Sequence, residues 1–152
     1  GKTKVNYFKF HSGKLTPATS PIDGEVAQIS IWPKDLDGKL IHTPFVDRSL
    51  VTALVDKSSA RAENYISLNF IYWPIDTTTF ATYQIKTTEH AFEDLKQGLG
   101  TILNQPPNPQ VSIVSVALGY YLEEEYSPYL QPIYIFEGPG FITFVQAITT
   151  AN

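Results

Sequence analysis

Cysteine and methionine are both absent from this 152-residue chain. Without a thiol there is no disulfide framework, no cysteine nucleophile, no thiolate zinc site and no iron–sulfur cluster. Charge is sparse: 11 Lys and Arg against 15 Asp and Glu give a formal net charge of −4, and the cations are scattered along the chain. Proteins that bind nucleic acid neutralise phosphates with grouped Lys and Arg, so nucleic acid is excluded as a partner class. Adhesion to an anionic bilayer through a polybasic patch is excluded with it. Long apolar runs are missing as well, and none approaches the roughly 18 residues that a membrane-spanning helix needs. The chain opens on Gly1-Lys2-Thr3-Lys4 with no initiator, which reads as a processed or trimmed terminus with a signal segment or membrane anchor expected upstream.

What the chain does have is apolar and aromatic area. Hydrophobic residues make up 43% and aromatics 13%, enough for a substantial core in a length that suits one domain over 1–152. Eleven prolines mark turns and strand ends more readily than the inside of an element. Between them, residues 5–10, 25–32, 64–73, 79–85, 111–121, 133–136 and 141–148 are rich in Val, Ile, Thr, Tyr and Phe and read as strands. Alternation is clearest at Ile66, Leu68, Phe70 and Tyr72, which are expected to face the core while Ser67 and Asn69 face water. Residues 86–98 read as a helix: Thr87 or Thr88 caps it, Glu89 lies in its first turn and Gly98 stops it. Its stripe of Ala91, Phe92, Leu95 and Leu99 is expected to pack on the sheet. A second helix is expected over 47–56, capped by Asp47 with Leu50, Ala53 and Leu54 inward, although Leu50-Val51 and Leu54-Val55 also suit a strand. The expected fold class is α+β, an antiparallel β-sheet with one or two helices packed on one face.

Motifs that would carry catalysis are thin. Gly1-Lys2-Thr3 matches the end of a phosphate-binding loop but lacks the upstream strand and glycine. Asp35-Leu36-Asp37-Gly38 opens like a calcium loop, yet Lys39 stands where the next oxygen ligand belongs, and a polar turn explains it better. His11, His42 and His90 occupy separate segments without metal-ligand spacing. No Gly-x-Ser-x-Gly elbow is present. Glu89 and Glu93 share a helix face, where paired carboxylates are ordinarily solvated. No cofactor, metal site or catalytic residue is assigned, and the expectation is a protein that is not an enzyme.

The remaining candidate is the stretch LGYYLEEEYSPYLQPIYIFEG at 118–138. Glu123, Glu124 and Glu125 fall in a connection of roughly ten residues, stiffened by Ser127-Pro128 and Gln131-Pro132. It reads either as a solvated hairpin tip, whose charge keeps two apolar strands from aggregating, or as a recognition loop. In the second reading Tyr126, Tyr129 and Leu130 supply amphipathic contact area at low entropic cost. The candidate partner-binding residues are Tyr120, Glu123, Glu124, Glu125, Tyr126, Tyr129 and Leu130.

A longer pattern runs through the same half of the chain. Tyr83-Gln84-Ile85-Lys86-Thr87 is followed by Ala91-Phe92, Leu95 and Gly98, then Val116-Ala117-Leu118-Gly119-Tyr120-Tyr121. Leu130-Gln131-Pro132-Ile133-Tyr134-Ile135-Phe136 and Phe144-Val145-Gln146-Ala147 complete the order. Over roughly the last 75 residues this resembles the closing region of the YycH/YycI group of extracytoplasmic regulatory proteins and, more remotely, PepSY-like modules. Where that group usually carries a tryptophan after the hairpin proline, this chain has Ile133-Tyr134, and residues 1–73 lie outside the resemblance. It implies a PepSY/YycI-like α+β fold in a bacterial domain anchored outside the cell membrane. It also implies regulation through a protein partner such as a membrane sensor kinase or a peptidase. The expected function is therefore a non-enzymatic, extracytoplasmic interaction domain. The alternative is a small-molecule or glycan-binding module, or a carboxylate-dependent hydrolase, with its site between sheet and helix and Trp32, Trp73 and the tyrosines as stacking surface.

Overall fold

The computed structural model describes residues 1–57, 65–107 and 110–149. The chain divides into two compact units, Gly1–Lys34 with Ser49–Tyr72 and Asp35–Arg48 with Trp73–Asn152, and each contains one five-stranded sheet.

In the first unit β1 (Lys2–His11) turns through Ser12 and Gly13 into β2 (Lys14–Pro17). Both turn residues take positive φ, 50° and 80°, the two-residue geometry that matches the twist of a hairpin. β3 (Val26–Trp32), β5 (Val51–Asp56) and β6 (Tyr65–Phe70) complete an antiparallel sheet in the order β2-β1-β3-β5-β6. Register places Val5, Ile29, Ala53 and Leu68 in one apolar row across four strands, next to the polar row Lys4, Ser30, Thr52 and Asn69 on the other face. Most of the span expected as a second helix is strand β5. Its Val51, Thr52 and Val55 are β-branched, and hydrogen bonding on both edges, to β3 and β6, overrides the weak helical spacing. At β6 the expected alternation exists, but Ile66, Leu68, Phe70 and Tyr72 are 56–61% exposed, whereas Ile71 is buried. Ile66, Leu68 and Phe70 lie on the edge strand, whose apolar side is open, and Tyr72 lies just past its end.

The second unit orders its strands β4-β8-β9-β10-β7. These are β4 (Ile41–His42), β7 (Thr101–Asn104), β8 (Ser115–Tyr121), β9 (Gln131–Gly138) and β10 (Phe141–Gln146). Pairing is antiparallel except between β4 and β8, which is parallel. Ile133, Tyr134, Ile135 and Phe136 of β9 are all buried, on both sides of the sheet. Each such side chain contributes about 1.5–3 kcal/mol.

The helix α1 (Thr88–Lys96) begins and ends where the capping residues place it. Thr87 Oγ1 accepts from the His90 N–H at 3.3 Å, and Gly98 leaves the helix at φ 80°, a conformation open to glycine without strain. Ala91 is fully buried against Tyr134, Phe136, Val145 and Ala147, with Leu95 packed beside them. Two polar ties hold the helix entry: Lys86 pairs with Asp94 at 2.7 Å, and the Tyr134 hydroxyl donates to the Lys86 carbonyl at 2.9 Å. Leu99 does not continue the stripe. The helix has already ended, and Leu99 is 65% exposed.

The α+β expectation, with its PepSY/YycI-like sheet covered by helices, is corrected here. The described residues contain ten strands and one nine-residue helix, so the chain is β-rich. Residues 79–84, expected as strand, lie outside the sheets, and Ile85 makes only an isolated bridge to Ile148. Just before them Asp76 accepts from the Thr78 N–H and from the hydroxyls of Thr78 and Thr79. That local network offers the backbone a turn in place of a ladder, and it holds the Asp76 carboxyl down at about 2.

Gly119 of β8 sits where a side chain has no room. A methyl there would stand 2.8 Å from the Leu40 carbonyl oxygen and 2.8 Å from Ile135 Cδ1, and the Leu40 oxygen is backbone that accepts the Tyr120 N–H. Gly119→Ala is expected to destabilise the protein by about 1–3 kcal/mol, read as a lower urea midpoint. An unchanged midpoint would mean that β4 is not held against β8 at this point.

Candidate interaction groove

The alternation of β9 divides the second sheet into two environments. Tyr134 and Phe136 point to the side that packs with α1. Ile133 and Ile135 point to the other, where they pack with Phe144 and with the half-buried Leu103, Tyr121 and Ile142. On this second face lies an open groove of about 500 Å³. Its floor is Tyr121, Ile133 and Phe144, with the rings of Tyr121 and Phe144 4.3 Å apart and 33° from parallel. Gln131 and Gln146 also line it, joined by a 3.0 Å hydrogen bond from Gln146 Nε2 to Gln131 Oε1. Glu123, Glu124 and Glu125 line it too, as do Pro44, Leu99 and Thr101. Among the described residues these three carboxylates form no ion pair. The Tyr121 hydroxyl is pushed up in pKa, first by burial and then by the charges of Glu123 and Glu124, so it stays protonated and able to donate.

The connection between β8 and β9 is tied down at one point. Trp73 Nε1 donates to the Glu123 carbonyl at 3.2 Å, and the Tyr126 ring meets Trp73 edge-on with centroids 5.3 Å apart. Beyond that anchor, Tyr126 and Tyr129 are 69% and 70% exposed. Ser127 Oγ donates to the Tyr129 carbonyl at 3.0 Å, which shapes the tip.

Of the residues expected to form a contact surface, Glu123, Glu124 and Glu125 come together in the groove. Tyr126 and Tyr129 stand exposed beside them in the chain, and Leu130 is half-buried. Tyr120 does not join them: its register against Pro132 puts it on the opposite face from Tyr121. Tyr121 and Gln131, which bound the expected connection without being singled out, pair across the hairpin, and Ile133, which sequence reasoning missed, is put on the same side by simple alternation. Phe144, Gln146, Leu99, Thr101 and Pro44 carried no local signal, because only the pairing of β7 with β10 and β10 with β9, and of β4 with β8 for Pro44, brings them there.

The three histidines do not converge. His11 ends β1 and His90 is exposed on α1, while His42 of β4 is 3% exposed. Among the described residues no group of three or more His, Asp and Glu is placed to hold a metal ion. Burial, with a smaller contribution from the charge of Arg48, lowers the His42 pKa to about 4, so its imidazole is neutral at pH 7. A histidine depressed in the folded state contributes stability that is complete above its unfolded pKa near 6.5 and is lost as pH falls from there toward 4. The full effect is about 3 kcal/mol. Urea unfolding of the wild type at pH 7 and pH 4.5 is expected to show a larger acid loss than His42→Gln does. Equal losses would overturn the assignment. Comparisons with family models, with curated proteins and with solved structures found no match to this chain.

Proposed function

We propose that this chain is a non-enzymatic interaction domain that works outside the bacterial cytoplasm and regulates a partner through protein contacts, with the β8–β9 connection and its groove as the contact surface. One observation carries the reading: three carboxylates without ion-pair partners among the described residues line a groove with half-buried Tyr121 and buried Phe144, and two exposed tyrosines follow them in the same connection. Aromatic side chains with polar tips anchor protein interfaces, and an uncompensated acidic wall selects a partner segment that carries Lys or Arg beside an apolar residue. The extracytoplasmic setting rests on the resemblance of the second half to the YycH/YycI group. The alternative of a ligand site between sheet and helix is disfavoured, because Ala91, Tyr134, Phe136, Val145 and Ala147 fill that space as packed core.

Selection from a displayed library of random peptides tests the reading before any partner is identified. Enrichment of Lys- or Arg-containing peptides with an aromatic or aliphatic neighbour is expected, with affinity falling as salt rises. Replacing Tyr126, Tyr129 and Leu130 together by alanine is expected to abolish binding of a selected peptide with an unchanged circular dichroism spectrum. Glu124→Gln with Glu125→Gln is expected to weaken it about tenfold, or about 1.4 kcal/mol. Full binding by the folded triple variant, or a selection with no basic preference, would overturn the assignment.

A further inference from the structure

The two edges of the first sheet are built differently. At one edge β2 has four residues, starts on Lys14 and ends on Pro17. The part of β1 that β2 leaves uncovered carries Lys2 and Lys4. Short length, lysine and proline are the devices by which an edge strand resists pairing with another chain. At the other edge β6 lacks them. The run from Tyr65 to Pro74 contains no charged residue, every residue of β6 is exposed, and among the described residues β6 pairs only with β5. A bulge where Ile66 has no partner on β5 touches one end, and Ser67 to Phe70 continue as regular strand.

The sequence of that edge is symmetric about its centre. Ile66-Ser67-Leu68-Asn69-Phe70 alternates apolar and polar residues outward in both directions from Leu68. Laid antiparallel against a copy of itself with Leu68 opposite Leu68, the strand sets Phe70 opposite Ile66 on the apolar face and Ser67 opposite Asn69 on the polar face. Every cross-strand pair is then apolar with apolar or polar with polar, and no like charges meet. The apolar row Val5, Ile29, Ala53 and Leu68 would run on into the same row of the second chain. We propose that β6 is a self-association edge, and that two copies of this chain pair β6 with β6 antiparallel about Leu68 into one continuous sheet. The occupant is a second copy, since a two-fold interface requires a patch complementary to itself and this strand is. Growth beyond a dimer is closed off by the lysines and proline of the opposite edge.

Sedimentation velocity of the wild type at tens of micromolar should give twice the chain mass of 17.0 kDa. Leu68→Lys, which places two cations face to face at the dyad, should return the monomer mass with an unchanged circular dichroism spectrum. The matching substitution on the opposite edge, Leu15→Lys, should leave the dimer intact. Because the chain has no cysteine of its own, Leu68→Cys should also crosslink to itself under mild oxidation faster than Leu15→Cys. A monomeric wild type overturns the proposal. So does a dimer that survives Leu68→Lys, one lost equally in Leu15→Lys, or crosslinking that favours Leu15→Cys. A monomer that captures an added extended peptide along β6 would assign the edge to a different partner and overturn it as well.

Discussion

Burial of Ile133, Tyr134, Ile135 and Phe136 on both faces of one sheet is the constraint around which the second unit is arranged. A strand apolar on both sides cannot lie at an edge or face water, so β9 is central, with β8 and β10 bonded to either side. Each face then needs its own cover. On one side α1 supplies it through Ala91, the smallest side chain that lets the helix approach the rings of Tyr134 and Phe136. On the other the cover is made by Phe144, Tyr121 and their neighbours, and it is incomplete. The groove is what remains open beside that second packing layer.

The two readings of the acidic connection are physically compatible. Glu123, Glu124 and Glu125 lie at the end of a hairpin whose strands are apolar on both faces, and charge there opposes pairing with other chains. The same charges line a groove with the Tyr121 and Phe144 rings, where on the proposed reading they would add electrostatic selectivity to aromatic area. The connection is anchored at one point. Trp73 holds the Glu123 carbonyl and the Tyr126 ring, so on the proposed reading part of the ordering entropy of binding is met in the free protein.

The first unit solves a different problem. Its sheet has one mainly polar and one mainly apolar face, and the apolar row is only partly buried: Ala53 is 7% exposed, Val5 43% and Leu68 58%. Ile29 on the central strand is half-buried, and the row is most open at its two ends, Val5 and Leu68. Lys57, whose ammonium donates to the carbonyls of Pro21 and Gly24 and lies 4.9 Å from the centre of the Tyr7 ring, joins the end of β5 to the loop before β3.

Much of the local structure was legible in the residues. A threonine cap at Thr87 or Thr88, Gly98 as stop and the strands around Val5, Ile29, Leu118, Ile135 and Phe144 follow from side-chain oxygens, positive-φ tolerance and β-branched or aromatic density, all of which act within a few residues. The helix expected over 47–56, the strand expected over 79–85 and the core-facing role of Ile66, Leu68 and Phe70 failed for one shared reason. Propensity and alternation say which residues suit a strand and which sides differ, but whether a neighbour exists to bond its edge or cover its face depends on segments distant in the chain. β5 became strand because β3 and β6 flank it, and the segment 79–84 is entered from a turn in which Asp76 holds Thr78 and Thr79. The sequence by itself determined the β-rich chemistry, the helix boundaries and the acidic aromatic connection, because these rest on short-range sterics and composition. Only the tertiary structure decided which strands lie at the edge, which face of β9 meets the helix, and that Tyr121, Gln131 and Phe144 join Glu123 to Glu125 in one groove, because register between distant strands sets all three.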